Sequence, residues 1–274
     1  MEFIPLCGAI GVEVRGVDLN ETDTETDAAI RGAFDRHGAL MFRGQSLSPE
    51  NQKRFSSLFG DVFVHPLRTR ATVEGHPEVL ILENRPGRPG APNDYWHSDI
   101  SHMAEPPSAT VLHALAVPEG HGDTMICNMA RAYEQLSDGL KQMIADLKAF
   151  HSGKATQMRS LDPSDARKID PSEVKPPSLH PVVRSPAGTG QKAIFVNPRF
   201  TVGIEGLEER ESAWLLNHLY EVATKPENIY RHRWQPGDVL VWDNRRTMHY
   251  AVRDYTEDMH RKLHRCTAQG EAPV

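Results

Sequence analysis

The sequence predicts a mainly β protein with flanking helices, its strands arranged as a sandwich or barrel. Three observations carry this. Short runs of β-branched, aliphatic and aromatic residues recur along the chain between turn residues. Stretches with helical spacing are few and do not alternate regularly with the strands, as β/α units would require. A chain of 274 residues, 39% hydrophobic and 25% charged, can bury one large β core, so a single domain over residues 1–274 is expected.

Taken in order, residues 3–6 and 11–17 read as strands, the second through the alternation of Val12 and Val14. Residues 24–37 place Ile30, Ala33 and Phe34 on one helical face, with Gly38 as the stop. Residues 39–42 form a short buried strand. Ser48-Pro49-Glu50 opens a helix, with Ser as cap and Pro at the first position, that turns Phe55, Leu58 and Phe59 inward and ends at Gly60. Strands then dominate, at 79–82, 110–117, 124–127, 182–184, 193–196, 229–234, 239–242, 248–252 and 262–268. Two helices interrupt them. Ser137 caps one whose inner face is Leu140, Met143, Ile144 and Leu147. The other runs from 207 to about 224, with Trp214, Leu215, His218, Leu219 and Val222 on one stripe. Residues 152–178 are rich in Pro, Asp, Lys and Arg, with apolar side chains only scattered among them, and are expected to be either a solvated insertion or a mobile lid.

The formal charge of -6 argues against a general binder of nucleic acid or anionic membrane. Cys7, Cys127 and Cys266, odd in number and widely spaced, suit reduced thiols in a cytoplasmic protein better than a disulfide framework. No apolar run approaches the roughly 20 residues of a membrane span, so no membrane partner is expected. The first residues lack the basic region of a signal peptide.

The stretch richest in chemistry is Asn93-Asp94-Tyr95-Trp96-His97-Ser98-Asp99-Ile100-Ser101-His102, which reads as the start of a strand after a Pro- and Gly-rich loop. On a strand His97 and Asp99 face the same way, so an imidazole and a carboxylate reach one metal ion from adjacent corners. That is two thirds of a 2-His-1-carboxylate facial triad. In a chain with 14 His, an H-x-D tripeptide by itself is a weak signal. The third ligand must come from a distant strand. His249 follows the turn Asp243-Asn244-Arg245-Arg246 and is the candidate, against the plainer reading of a hydrogen-bonded histidine. On the last strand Arg261, Leu263 and Arg265 share one face, the two guanidiniums about 13 Å apart at roughly 3.3 Å per residue. Arginines on an inner face are costly unless they meet anions, and their fork suits a carboxylate or other oxyanion. The alternative is a solvated edge strand.

These residues, with Trp96-His97-Ser98-Asp99, Gly122-Asp123-Thr124, Asp243-Asn244-Arg245, His249-Tyr250-Ala251 and His264-Arg265 in that order over nearly the whole chain, resemble the taurine dioxygenase and 2,4-dichlorophenoxyacetate dioxygenase family. Its members are iron(II)- and 2-oxoglutarate-dependent oxygenases. The resemblance implies a double-stranded β-helix (jelly-roll) core and Fe(II) on His97, Asp99 and His249. It implies Thr124 and Arg261 on the distal carboxylate of 2-oxoglutarate, with O2 as the second cosubstrate. Arg265 would face the acidic group of a small organic anion, and Asn93 and Phe200 would line the same pocket. The reaction would be hydroxylation with succinate and CO2 as coproducts, in a homo-oligomer, dimer or tetramer. The carboxylate at Asp99 favours hydroxylation over halogenation, because related halogenases leave that corner to a halide.

Two departures count against taurine itself as substrate. After Phe59-Gly60-Asp61 the family's substrate-binding His has no secure counterpart, and Arg68 or Arg70 is expected to take its space. The loop from His249 to Arg261 is longer by about one residue. Two other classes compete with the oxygenase. A metal-dependent hydrolase or isomerase on a jelly-roll would need neither O2 nor 2-oxoglutarate. A non-catalytic anion-binding module would keep its ligand after metal removal.

Overall fold

A computed structural model of the protein describes residues 1–66, 71–90, 93–153 and 176–274. Its strands in chain order are β1 (Glu2–Pro5), β2 (Val12–Arg15), β3 (Ala39–Phe42), β4 (Thr72–Val73), β5 (His76–Asn84), β6 (Ala109–Ala116), β7 (Thr124–Asn128) and β8 (Lys148–His151). They continue with β9 (Ser178–Pro181), β10 (Val183–Arg184), β11 (Ala193–Ile194), β12 (Thr201–Ile204), β13 (Ile229–His232), β14 (Val239–Asp243), β15 (Thr247–Ala251) and β16 (Arg261–Ala268). The α-helices are α1 (Thr24–His37), α2 (Pro49–Ser56), α3 (Met129–Glu134), α4 (Asp138–Ile144) and α5 (Glu209–Ala223).

Eight strands form one sheet in the order β1-β2-β3-β14-β6-β16-β5-β4, antiparallel except between β2 and β3. The smaller sheets are β13-β7-β15, β12-β8-β9 and β10-β11, and the first of them faces the large sheet across a shared core. The core divides as the strand alternation requires. On β14, Val239 and Val241 join Val111, Ile30, Phe34, Phe42, Phe55 and Phe59, which pack the outer face of the large sheet beneath α1 and α2. Leu240 and Trp242 point the other way and meet Met41, Leu112, Ile126 and Leu263 between the two sheets. With both faces covered, β14 is apolar along most of its length. A third cluster, including Met129, Ile144, Leu215, Leu219 and Met248, seals the small sheets beneath α3, α4 and α5. The architecture is the mainly β jelly-roll that the sequence leads one to expect.

Local signals account for the helix ends. Asp23 accepts a hydrogen bond from the Thr26 N–H, and Gly38 closes α1 in the left-handed region at φ 73°. Ser48 and Ser137 cap α2 and α4 through the N–H groups of Asn51 and Leu140.

Some expectations need correction. Trp214 is 64% exposed and Met143 50%, so neither faces inward. The buried stripe of α5 is instead Ser212, Leu215, Leu216, Leu219, Val222 and Ala223. Strands β8, β9 and β12 and helix α3 went unread, since each is short and carries no clear period. Of the 152–178 insertion, residues 154–175 lie outside the described residues. At its ends the Ser152 N–H donates to the Phe200 carbonyl at 2.7 Å, and Ser178 already belongs to β9. Cys127 and Cys266 are buried free thiols, and Cys7 is half-buried. Among the described residues no helix is long and apolar enough to cross a membrane.

Candidate metal centre and active site

His249 lies on β15. Its backbone and that of His97 exchange two hydrogen bonds, 3.0 Å from His97 N–H to His249 O and 2.8 Å in return. This isolated bridge puts the imidazole centroids 4.1 Å apart. The chain does not continue from His97 as a strand but turns at Asp99 and Ile100. Ile100 has φ 34°, an uncommon conformation for a β-branched residue and a sign of local strain. That turn brings Asp99 Oδ1 to 3.8 Å from His97 Nε2 and 3.7 Å from His249 Nε2. One ligating atom from each residue lies within 4.8 Å of the others, and all three residues are buried.

Surrounding groups fix the orientation of these side chains. His97 Nδ1–H donates to the Tyr95 carbonyl at 2.9 Å, which leaves the Nε2 lone pair for a metal. Asp99 Oδ2 accepts from the Thr110 hydroxyl at 2.6 Å. Thr110 in turn accepts from Asn244 Nδ2 at 2.9 Å, and Asn244 Oδ1 accepts from Trp242 Nε1 at 3.0 Å. The Trp242 ring lies 4.5 Å from that of His249. Arg265 Nη2 sits 3.0 Å from Asp99 Oδ1, a close ion pair. Its geometry is not that of a hydrogen bond, and Arg265 Nε is buried without a partner among the described residues.

Burial lowers the pKa of both imidazoles, so they are neutral and available as ligands at pH 7. Burial opposes ionisation of Asp99, yet its carboxyl is held well below the usual range, first by Arg265 and then by the imidazoles and Thr110. With the imidazoles neutral, Arg265 and Thr110 are the partners that matter. Two imidazoles and a carboxylate with converging donor atoms suit iron(II) of the facial-triad kind.

Arg261, at the start of β16, is buried and forms no ion pair among the described residues. Its Nε and Nη2 donate to the Gly122 carbonyl at 3.3 and 3.1 Å. Gly122 has φ 73°, and a Cβ there would lie 2.7 Å from Arg261 Nε, so only glycine admits the guanidinium. Thr124 opens β7, and its Oγ1 accepts from Trp234 Nε1 at 3.0 Å. The arrangement holds a desolvated guanidinium with donors to spare on the carbonyl of Gly122, two residues before Thr124, which suits a carboxylate.

Asn93 connects to the centre through Tyr95, whose hydroxyl donates to Asn93 Oδ1 at 3.1 Å and whose ring lies 5.0 Å from that of His97. Phe200 is buried, its ring 4.9 Å from that of His102. Arg68 and Arg70 lie outside the described residues. Sequence reasoning missed Thr110, Tyr95 and Trp234. Thr110 carries no motif and reads as an ordinary strand residue, whereas Asn244 stood in a quoted motif without a role.

Fold and site together define an α-ketoglutarate-dependent dioxygenase. The chain belongs to the taurine catabolism dioxygenase TauD, TfdA family, which matches residues 2–267. It is 36% identical to an alkylsulfatase of Acinetobacter baylyi, over 99% of this chain and 86% of that protein. It is also 36% identical to an alpha-ketoglutarate-dependent sulfate ester dioxygenase of Pseudomonas putida, over 100% of this chain and 91% of the relative. The solved taurine dioxygenase from Burkholderia xenovorans superposes with a TM-score of 0.83 at 35% identity, covering 100% of this chain and 90% of the other.

Proposed function

We propose that the protein is an iron(II)- and 2-oxoglutarate-dependent dioxygenase that hydroxylates a small organic anion. The substrate classes are sulfate esters, sulfonates and aryloxy or other carboxylic acids. The observation that carries this reading is the convergence of His97, Asp99 and His249, with one donor atom of each within 4.8 Å of the others. These three residues hold the iron. Bound iron(II), with 2-oxoglutarate and O2, supplies the oxidation that hydroxylates the substrate and yields succinate and CO2.

The chain's own groups bind, orient and exclude water. Arg261 and Thr124 take the distal carboxylate of 2-oxoglutarate, for which the unpaired guanidinium is poised. Arg265, whose Nε is free among the described residues, anchors the substrate's acidic group. Asn93 and Phe200 line the same pocket. Where the hydroxylated carbon bears a sulfate or sulfonate, the product collapses and releases that group. One catalytic domain over 1–274, a cytoplasmic location and a dimeric or tetrameric assembly complete the reading. The sulfate-ester and taurine enzymes among the relatives support an anionic substrate.

The test is succinate formation from 2-oxoglutarate by protein loaded anaerobically with iron, then given O2 and a panel of sulfonates, sulfate esters and aryloxy acids. Stimulation by a panel member, lost in His249→Ala, is the expected result. In His97→Ala the fold persists while iron binding is lost. Protein that binds iron and 2-oxoglutarate yet forms no succinate would refute the assignment and favour the hydrolase or binding-module alternatives.

A further inference from the structure

Arg199 stands just before Phe200 and has no role in the reading above. Its backbone is held in place, because the N–H groups of Arg199 and Phe200 both donate to Asn197 Oδ1, at 3.2 and 2.9 Å. Asn197 is buried, and its Nδ2 donates to Ser101 Oγ at 2.9 Å, two residues beyond Asp99. So placed, the guanidinium carbon lies 4.3 Å from the centre of the Tyr95 ring and 6.0 Å from that of Phe200. Tyr95 is the residue whose ring lies tilted against that of His97 and whose hydroxyl donates to Asn93. Arg199 therefore joins the two nominated pocket residues, Asn93 and Phe200, on the Tyr95 side of the triad. Its Nε is buried with no hydrogen-bond partner among the described residues, and no acidic side chain among them pairs with it. A guanidinium fixed over an aromatic face keeps its edge donors for something else, and stacking does not replace the lost hydrogen bonds.

The charges around the site point the same way. Arg261 is faced by Asp254 and Asp123, and Arg265 is paired with Asp99. Arg199 has no acidic partner among the described residues, so a second acidic group on the substrate is the charge that would meet it.

We propose that Arg199 is a second anion anchor, and that the substrates of this enzyme are small organic dianions with one acidic group on Arg265 and the other on Arg199. This rests on the dioxygenase reading and narrows its substrate class. The alternative role, positioning Tyr95 and His97 by stacking alone, predicts no dependence on the substrate's second charge.

The test is calorimetric binding to the anaerobic iron(II)–2-oxoglutarate complex, without turnover. The probes are alkane-1-sulfonates and the matching α,ω-disulfonates, from ethane through hexane. At the best chain length, wild type should prefer the disulfonate by about tenfold or more, the about 1.4 kcal/mol of one charge-assisted contact. Arg199→Gln should erase that preference, and Arg199→Lys should restore part of it. A preference of twofold or less at every length in wild type overturns the proposal while leaving monosulfonate binding, and with it the Arg265 reading, intact. A preference that survives Arg199→Gln also overturns it. Absence of binding by every probe overturns both this proposal and the anionic-substrate reading. Near-ultraviolet circular dichroism of the variants shows whether the Tyr95 environment persists, so misfolding cannot mimic loss of the anchor.

Discussion

Replacing Thr110 by Val isolates the support that the polypeptide gives to Asp99. The two side chains are nearly isosteric, and Thr110 is fully buried on β6, so the packing barely changes. What disappears is the 2.6 Å hydrogen bond to Asp99 Oδ2 and the acceptor for Asn244 Nδ2 at 2.9 Å. A hydrogen bond to a charged group contributes about 1.5–3 kcal/mol, and each 1.4 kcal/mol is about tenfold in an equilibrium constant. Groups that orient metal ligands typically contribute about 10–100-fold to metal affinity. The expected weakening of iron(II) binding in Thr110→Val is therefore about 10–100-fold. Anaerobic competition titration against a chelator measures it on the apoprotein. Global stability should fall by only about 1–3 kcal/mol, the cost of the orphaned Asn244 amide. Iron affinity within twofold of wild type would show that Arg265 and the backbone suffice to hold the carboxylate, and would refute the argument.

Two further outcomes follow from the same geometry. Gly122→Ala places a methyl group in the space of Arg261 Nε, at a backbone position with φ 73°. Affinity for 2-oxoglutarate should drop about tenfold or more while iron binding in its absence stays within twofold; calorimetry that finds cosubstrate affinity unchanged would remove Arg261 from that role. His151 is buried between Ser101 and the Phe195 ring, and burial, aided by His180 and His102, lowers its pKa to about 3. The unfolded chain, with an imidazole pKa of about 6.5, takes up the proton first, so this residue's contribution is complete above pH 6.5 and is lost as pH falls towards 3. From pH 8 to pH 5 the loss is about 2 kcal/mol of unfolding free energy. Urea unfolding of wild type and His151→Gln at both pH values reads it as a difference of differences, and an equal pH effect in the two proteins would contradict it.

Much of the fold was legible where a face is buried and a signal is local. Gly38, Ser48 and Ser137 marked helix ends because each serves an otherwise unpaired backbone group. The alternation on β16 put Arg261, Leu263 and Arg265 on one buried face. The reading failed where periodicity says nothing about neighbours. Trp214 matched the helical stripe yet faces outward, because the small sheets cover the side of α5 that carries Leu216 and Ala223. Within the site, the spacing of His97 and Asp99 named the right pair for an incomplete reason. They converge through a turn strained at Ile100 and not along a strand. Thr110 and Arg199 were invisible because their roles exist only across the fold, between segments that the sequence does not relate.

The paired backbones of His97 and His249 have a consequence for the life of the chain before it is an enzyme. The two imidazoles come from opposite halves of the polypeptide and meet only when β15 has taken its place against β7. Contacts of such long range are closed late, once loop-closure entropy has been overcome by the rest of the core. A chain in which β15 has not yet paired with β7 thus lacks the third converging donor. The same pairing ties the geometry of the centre to the integrity of the sheet, because loosening β15 from β7 separates His249 from His97 and Asp99.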